Sequence, residues 1–260
     1  PVSIIMVDIN GLKIINEAYG YEKGDNVLVK TAAILSSCTR EEDTVARWAG
    51  DEFIILLPQT FEKQTKSIIQ RIKNKTVSTK TEDIPLSFGI GYAVKTDPEQ
   101  DIHEVLYETE DKVYQDKLTK NRSVKNKLVQ NMLNTLGAKS DETKAHAQRM
   151  TELSYKLGEK IGLSSEQLNR LSLLATLHDI GKVNIAEEIL KKPDSLTEEE
   201  WQTIKTHTEK GYSIASAIED FAPIAESILT HHERWDGDGY PQSLSGKDIP
   251  LLARIISIVD

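Results

Sequence analysis

The chain has 260 residues, 38% of them hydrophobic and 28% charged, the balance of a folded protein with room for two ordinary cores. Its net charge of −9 opposes a nucleic-acid polymer as partner, and no apolar run approaches the ~20 residues of a membrane span. The single cysteine, Cys38, excludes an intramolecular disulfide and suits the reducing cytoplasm, and the first residues lack the basic start and apolar core of a secretory signal.

Residues 2–7 are an apolar run bounded by Asp8 and Gly11, which predicts a buried strand delivering Asp8 and Asn10 to a surface. Residues 24–37 follow helical spacing, with Val27, Leu28, Thr31, Ala32 and Leu35 on one face. Residues 44–57 read as a hairpin that displays Ala49, Gly50 and Asp51 at its turn. A helix over 61–73, a strand over 84–94 containing Gly89 and Gly91, and a helix over 101–117 complete an α/β pattern with one covered sheet.

Residues 123–136 predict a connecting helix capped by Gly137, within a helical linker at 123–140. From Asp141 the pattern is helical throughout. Met150, Leu153, Leu157 and Ile161 predict one apolar face, and Leu168, Leu171, Leu174, Ala175 and His178 another. Thr197 and Glu200 have the spacing of a capping box. The start at Pro1 and the end at Asp260, inside a continuing helical pattern, read as the ends of a fragment.

Five of the six histidines, His146, His178, His207, His231 and His232, fall in the C-terminal half. With Asp179 and Asp260 beside them, they offer imidazole and carboxylate donors that suit iron, manganese, zinc or nickel, while the lack of thiolates disfavours a zinc finger. Glu142 and His146 share a helical face. Gly181 lets the chain turn away after His178-Asp179, so that Lys182 can point back at a phosphate.

The ordered set Glu142-x-x-x-His146, His178-Asp179-x-Gly181-Lys182, His207, His231-His232-Glu233, Asp236-Gly237-x-Gly239-Tyr240-Pro241 and Asp260 resembles the HD-GYP branch of the HD metallohydrolases over roughly residues 141–260. The resemblance implies an all-α domain that hydrolyses cyclic di-GMP through pGpG to GMP. It implies His146, His178, Asp179 and Asp260 around one ion and His207, His231 and His232 around the next, with Asp179 bridging, and Glu142 goes with a third ion. Two or three divalent ions, iron or manganese, are thus expected. His178, Asp179 and Lys182 would carry catalysis, and Lys182, Gly237, Gly239, Tyr240 and Pro241 would shape the substrate site. The family usually continues past its last aspartate with basic residues, whereas this chain stops at Asp260.

Asp8-Ile9-Asn10-Gly11-Leu12-Lys13-x-x-Asn16, then Gly24-Asp25, then Arg47-Trp48-Ala49-Gly50-Asp51-Glu52-Phe53 resemble the GGDEF diguanylate cyclase domain, covering 1–122 without that family's opening segment. The resemblance implies a nucleotidyl-cyclase-like α+β sandwich, with Mg²⁺ and GTP held by Asp8, Ile9, Lys13, Asn16, Asp25, Gly50, Asp51 and Lys117. Arg40 and Asp43 match the family's inhibitory cyclic di-GMP site. Ala49 replaces the signature's first glycine, and Asn121, followed by Arg122, stands where the family has an arginine, so a degenerate domain that still binds GTP is expected.

The leading expectation is a cytoplasmic, metal-dependent cyclic di-GMP phosphodiesterase regulated by its N-terminal domain, as a candidate homodimer. A phosphodiesterase for another cyclic dinucleotide such as cyclic GMP-AMP, a non-catalytic guanine-nucleotide receptor and a working cyclase are the alternatives.

Overall fold

Strand β1 (Val2–Ile9) is apolar on both faces because it lies inside a four-stranded antiparallel sheet of order β2-β3-β1-β4, formed with β2 (Thr44–Ala49), β3 (Glu52–Pro58) and β4 (Phe88–Lys95). Edge strand β2 is mostly exposed, with a register break between Arg47 and Ala49. Pro85 and its neighbours precede β4, which starts at Phe88 rather than at the expected 84, because proline cannot donate to the ladder. The computed structural model describes residues 1–79, 84–139 and 144–260.

Helices α1 (Leu12–Tyr19), α2 (Tyr21–Ser37), α3 (Glu62–Ser78) and α4 (Ile102–Lys139) cover this sheet. Ser3 on one face of β1 meets Thr65 of α3 at 2.8 Å, while Ile4 and Met6 on the other face cluster with Val105 and Val113 of α4. A Cβ at Gly91 would stand 2.3 Å from the carbonyl oxygen of Thr109, so glycine lets the backbone of α4 lie directly on β4. Helix α4 runs unbroken where the sequence suggests two helices, and Gly137 lies inside it instead of capping it. An interior glycine costs only about 1 kcal/mol, less than continued helix packing returns.

The remaining elements are α5 (Lys144–Lys160), α6 (Ser165–Leu177), α7 (Glu187–Leu190), α8 (Glu198–Lys205), α9 (His207–Ser216), α10 (Ala222–Leu229) and α11 (Leu251–Val259), with 3₁₀ turns at Ile180–Asn184 and Gly246–Asp248. Helix α6 is central and buries Leu168, Leu171, Leu174 and Ala175 as expected. The buried face of α5 is instead Met150, Ser154 and Gly158, and Leu153 and Ile161 stay 52% and 50% exposed. Gly158 is the cause: a Cβ there would lie 2.8 Å from Leu168 Cδ2, so α6 seats against the glycine and turns the leucine stripe away.

The chain divides into two compact units, Pro1–Asn16 with Tyr21–Val129 and Glu17–Gly20 with Gln130–Asp260. Among the described residues no helix is long and apolar enough to cross a membrane.

Candidate metal centre

Helix α6 ends at Leu177, and the chain tightens at once into the 3₁₀ turn, with His178 still helical and Asp179 at φ −99°, ψ 12°. That tightening aims adjacent side chains at one place, with His178 Nε2 3.1 Å from Asp179 Oδ2. Gly181, inside this turn, also allows a close approach. A Cβ there would sit 1.9 Å from the carbonyl oxygen of His207. The 3₁₀ turn therefore lies on the start of α9 and brings His207 Nε2 to 3.2 Å from Asp179 Oδ1. Gly211 does the same for α10, since its Cβ would be 2.7 Å from Ile228 Cγ2. His231, just past the end of α10, then reaches 3.8 Å from Asp179 Oδ1.

On the other side of the carboxylate, Asp260 after α11 places Oδ1 3.4 Å from His146 Nε2 of α5 and 3.8 Å from His178 Nε2. Ligand atoms of Asp179, His207, His231 and His232 all lie within 4.8 Å of one another. Glu142 lies outside the described residues.

Hydrogen bonds set the imidazole tautomers. Nδ1 of His178, His207 and His231 donates to the carbonyl oxygens of Ala175, Ile204 and Ile228 at 3.0, 2.6 and 2.6 Å. A carbonyl only accepts, so each ring carries a proton on Nδ1 and turns its Nε2 inward. His207 Nε2 and His231 Nε2 stand 3.4 Å apart, and the buried Asp179 Oδ1 has no hydrogen-bond donor. Burial depresses the His231 pKa and, with His231 and His207 adding, pushes His232 down to about 3. Burial by itself would raise Asp179, but His178, His207 and His231 outweigh it and hold the carboxyl well below its ordinary value. Imidazole Nε2 atoms converging on a buried carboxylate that stays ionised are an arrangement that holds a cation, so the donor set fits divalent transition ions.

Lys182 reaches back as expected, with Nζ 2.7 Å from Asp179 Oδ2. The loop after His232 is held by the buried Glu233, whose Oε1 accepts from Gln242 N at 2.6 Å and Oε2 from Leu244 N at 2.9 Å. Gly237 takes φ +88°, and a Cβ at Gly239 would meet Arg234 N at 2.3 Å, so both glycines are needed for this fold-back. The loop lays Tyr240 on His232, with centroids 4.9 Å apart and planes 25° from parallel, ahead of a cis bond to Pro241. Burial, with the nearby Asp179 charge, raises the Tyr240 phenol far above its ordinary value, so its O–H stays neutral. Two neighbours of the site escaped the sequence reading. Glu233 carried no signal beyond its motif, and Trp201 was an aromatic on a helix with no buried residue, packed edgewise on Tyr240 at 6.1 Å.

In the N-terminal unit, Asp8 at the end of β1 lies opposite Glu52, and Ile9 N donates to Asp51 O at 3.0 Å. Gly89, whose Cβ would meet Lys117 Cγ at 2.4 Å, gives that side chain its path across β4 to Asp8, where Nζ–Oδ2 is 2.7 Å. Burial raises the Asp8 carboxyl against the Lys117 hydrogen bond, and burial with Asp8 and Asp51 raises Glu52. Asp8, Glu52, Glu110, Tyr114 and Lys117 line a cavity of about 240 Å³. The buried Asn16 Oδ1 has no hydrogen-bond partner, and Gly24 makes room for it, since a Cβ there would be 1.7 Å away. Asp25, Lys13 and Gly50 are exposed, Gly50 at φ +44° on the hairpin tip. Arg40 N donates to Asp43 Oδ2 at 2.7 Å, and the guanidinium faces Glu42 at 3.6 Å. The side chains of Asn121 and Arg122 lie outside the described residues.

Residues 127–260 match the family model described as HD domain, and residues 1–123 match that of the diguanylate cyclase GGDEF domain. A cyclic di-GMP phosphodiesterase of Thermotoga maritima is 42% identical over 134 residues, 50% of this chain and 36% of that protein. A 3'3'-cGAMP-specific phosphodiesterase of Vibrio cholerae is 39% identical over 132 residues, 50% of this chain and 25% of that protein. This chain thus spans well under half the length of either relative. The GGDEF domain of a Pseudomonas aeruginosa protein is 27% identical, with a TM-score of 0.43 over 45% of this chain and 76% of that one. The helical half with its histidine and aspartate cluster is matched over more than half of the chain, and the protein belongs to the HD domain family, its HD domain preceded by a GGDEF domain.

Proposed function

We propose that the protein is a metal-dependent phosphodiesterase that opens cyclic di-GMP to pGpG and then GMP. The observation that carries this reading is the division of Asp179, whose Oδ2 faces His178 while Oδ1 faces His207 and His231. One ion would be held by His146, His178, Asp179 and Asp260, and a second by Asp179, His207, His231 and His232. Bound there, the ions would supply Lewis acidity and acidify a water at neutral pH.

The chain's own groups supply the rest. At His231 and His232 burial disfavours the protonated ring, which keeps their lone pairs available. Lys182, at the edge of the cluster, offers an ammonium to a nonbridging phosphate oxygen. Tyr240 walls the site with a phenol that stays protonated and can donate. Iron and manganese suit this imidazole and carboxylate set, and Glu142 would serve a third ion.

The Vibrio cholerae relative favours cyclic GMP-AMP as a second substrate reading. In the GGDEF domain, Asp8, Asp51 and the backbone of Ile9 would hold Mg²⁺ with GTP, Asn16 and Asp25 would read guanine, and Lys13, Gly50 and Lys117 would face phosphate. Arg40 and Asp43 would form the inhibitory site. A cytoplasmic location goes with this reading as part of the proposal.

The test is incubation of Mn²⁺-loaded and anaerobically Fe²⁺-loaded protein with each dinucleotide, following pGpG and GMP by chromatography. Metal-dependent turnover that Asp179→Ala abolishes supports the reading; no turnover at full metal occupancy overturns it.

A further inference from the structure

We infer that Trp201 is a base-stacking residue of this site, taking a purine ring of the substrate while the phosphate lies at the histidine cluster. The inference rests on the phosphodiesterase reading and adds to it the residue that grips the nucleobase. Trp201 is a large aromatic kept 41% exposed on α8, a helix with no buried residue, so core packing does not account for it. It belongs instead to a file of rings leading away from the cluster. His207 and His232 lie 5.1 Å apart, Tyr240 stacks on His232 at 4.9 Å, and Trp201 meets Tyr240 at 6.1 Å with planes 79° apart.

That near-right angle makes a corner. A flat ring laid on the indole turns its edge to Tyr240, which is how an aromatic seat orients a base. The corner is also built rigidly. Thr197 and Glu200 cap α8 reciprocally at 3.2 and 2.7 Å, Lys192 pairs with Glu200 at 2.6 Å, and Glu233 fixes the loop of Tyr240. A preorganised seat loses little freedom when the base arrives. The phosphate end of the substrate has its partners at the cluster, where His207 and His232 adjoin Tyr240, and among the described residues Trp201 is the ring that adjoins Tyr240 away from those histidines.

The experiment compares wild type, Trp201→Phe and Trp201→Leu in the metal-loaded full chain with two substrates, cyclic di-GMP and the base-free bis(p-nitrophenyl) phosphate. Trp201→Leu is expected to raise KM for cyclic di-GMP roughly five- to a hundredfold. Its kcat, its metal content, its melting temperature and its turnover of the base-free diester should stay unchanged, and Trp201→Phe should restore most of the affinity. An unchanged KM in Trp201→Leu, or an equal loss on both substrates, overturns the inference while leaving the phosphodiesterase reading intact. If wild type turns over neither substrate, that reading fails and binding decides the inference. In Trp48→Phe/Trp235→Phe protein, where Trp201 is the single indole, saturable fluorescence quenching by GMP upholds base stacking and its absence overturns it.

Discussion

Gly181 and His207 touch through their backbones, so closely that a Cβ on the glycine would lie 1.9 Å from the histidine's carbonyl oxygen. The contact is what seats the 3₁₀ turn of Asp179 against α9. Gly181→Ala must therefore push the turn and the helix apart, and overpacking of this kind costs about 1–3 kcal/mol. We expect a lower melting temperature, and loss of at least one bound ion per chain by elemental analysis. Retention of both ions would show that the contact is not what holds Asp179 and His207 together.

Substitutions on the two sides of Asp179 should separate by metal count. His146→Ala would remove a proposed ligand of the Asp260 side alone, whereas Asp179→Ala would remove the carboxylate proposed to be shared. The expected result is loss of about one ion for the first and of both for the second, with turnover falling by roughly two orders of magnitude or more in each. Equal metal loss in both variants would contradict a bridging Asp179.

Acid should weaken the metal-free protein before it weakens the loaded one. The folded-state pKa of His232 is pushed down to about 3 and that of His231 is also lowered, both below the ordinary 6.5. The unfolded chain then binds protons first, so stability is full above pH 6.5 and falls as the pH drops toward 3. Asp179, itself depressed, adds loss only below its ordinary 3.8. At pH 5.5 the His232 share is at most about 1 kcal/mol, allowing for partial solvent contact. Urea midpoints at pH 7.5 and 5.5 should diverge with chelator present, diverge less in His232→Gln, where His231 still contributes, and move little with Mn²⁺ bound. A midpoint that rises on acidification would refute the sign.

Glu233→Gln should disturb the loop and spare the metals. The carboxylate accepts from both Gln242 N and Leu244 N, and an amide can replace only one acceptor, setting a donor against a donor at the other. Loss of about 1–3 kcal/mol in stability follows, with a higher KM for dinucleotide as Tyr240 loosens and an unchanged ion count. Unaltered KM and melting temperature would show that the loop does not depend on this residue.

Much of the molecule was legible along the chain because its signals are local. Apolar β1, the hairpin tip at Gly50, the α6 stripe and the Thr197–Glu200 capping box arise from periodicity or short-range hydrogen bonding, and each appears in the structure. Apart from the start of β4, which Pro85 delays, the readings that failed concern packing between elements. Gly137 passes unnoticed inside α4, and Leu153 and Ile161 face outward.

By itself the sequence determined the donor chemistry, since residue type decides that imidazole and carboxylate, not thiolate, are on offer, and the order of the motifs points to the HD and GGDEF families. Only the tertiary structure decided which oxygen of Asp179 meets which histidine, which imidazole nitrogen faces inward, and that Glu233 and Trp201 flank the site. Those relations depend on ångström-scale approaches between helices far apart in the chain, which glycines permit and backbone carbonyls direct, and no local pattern encodes them.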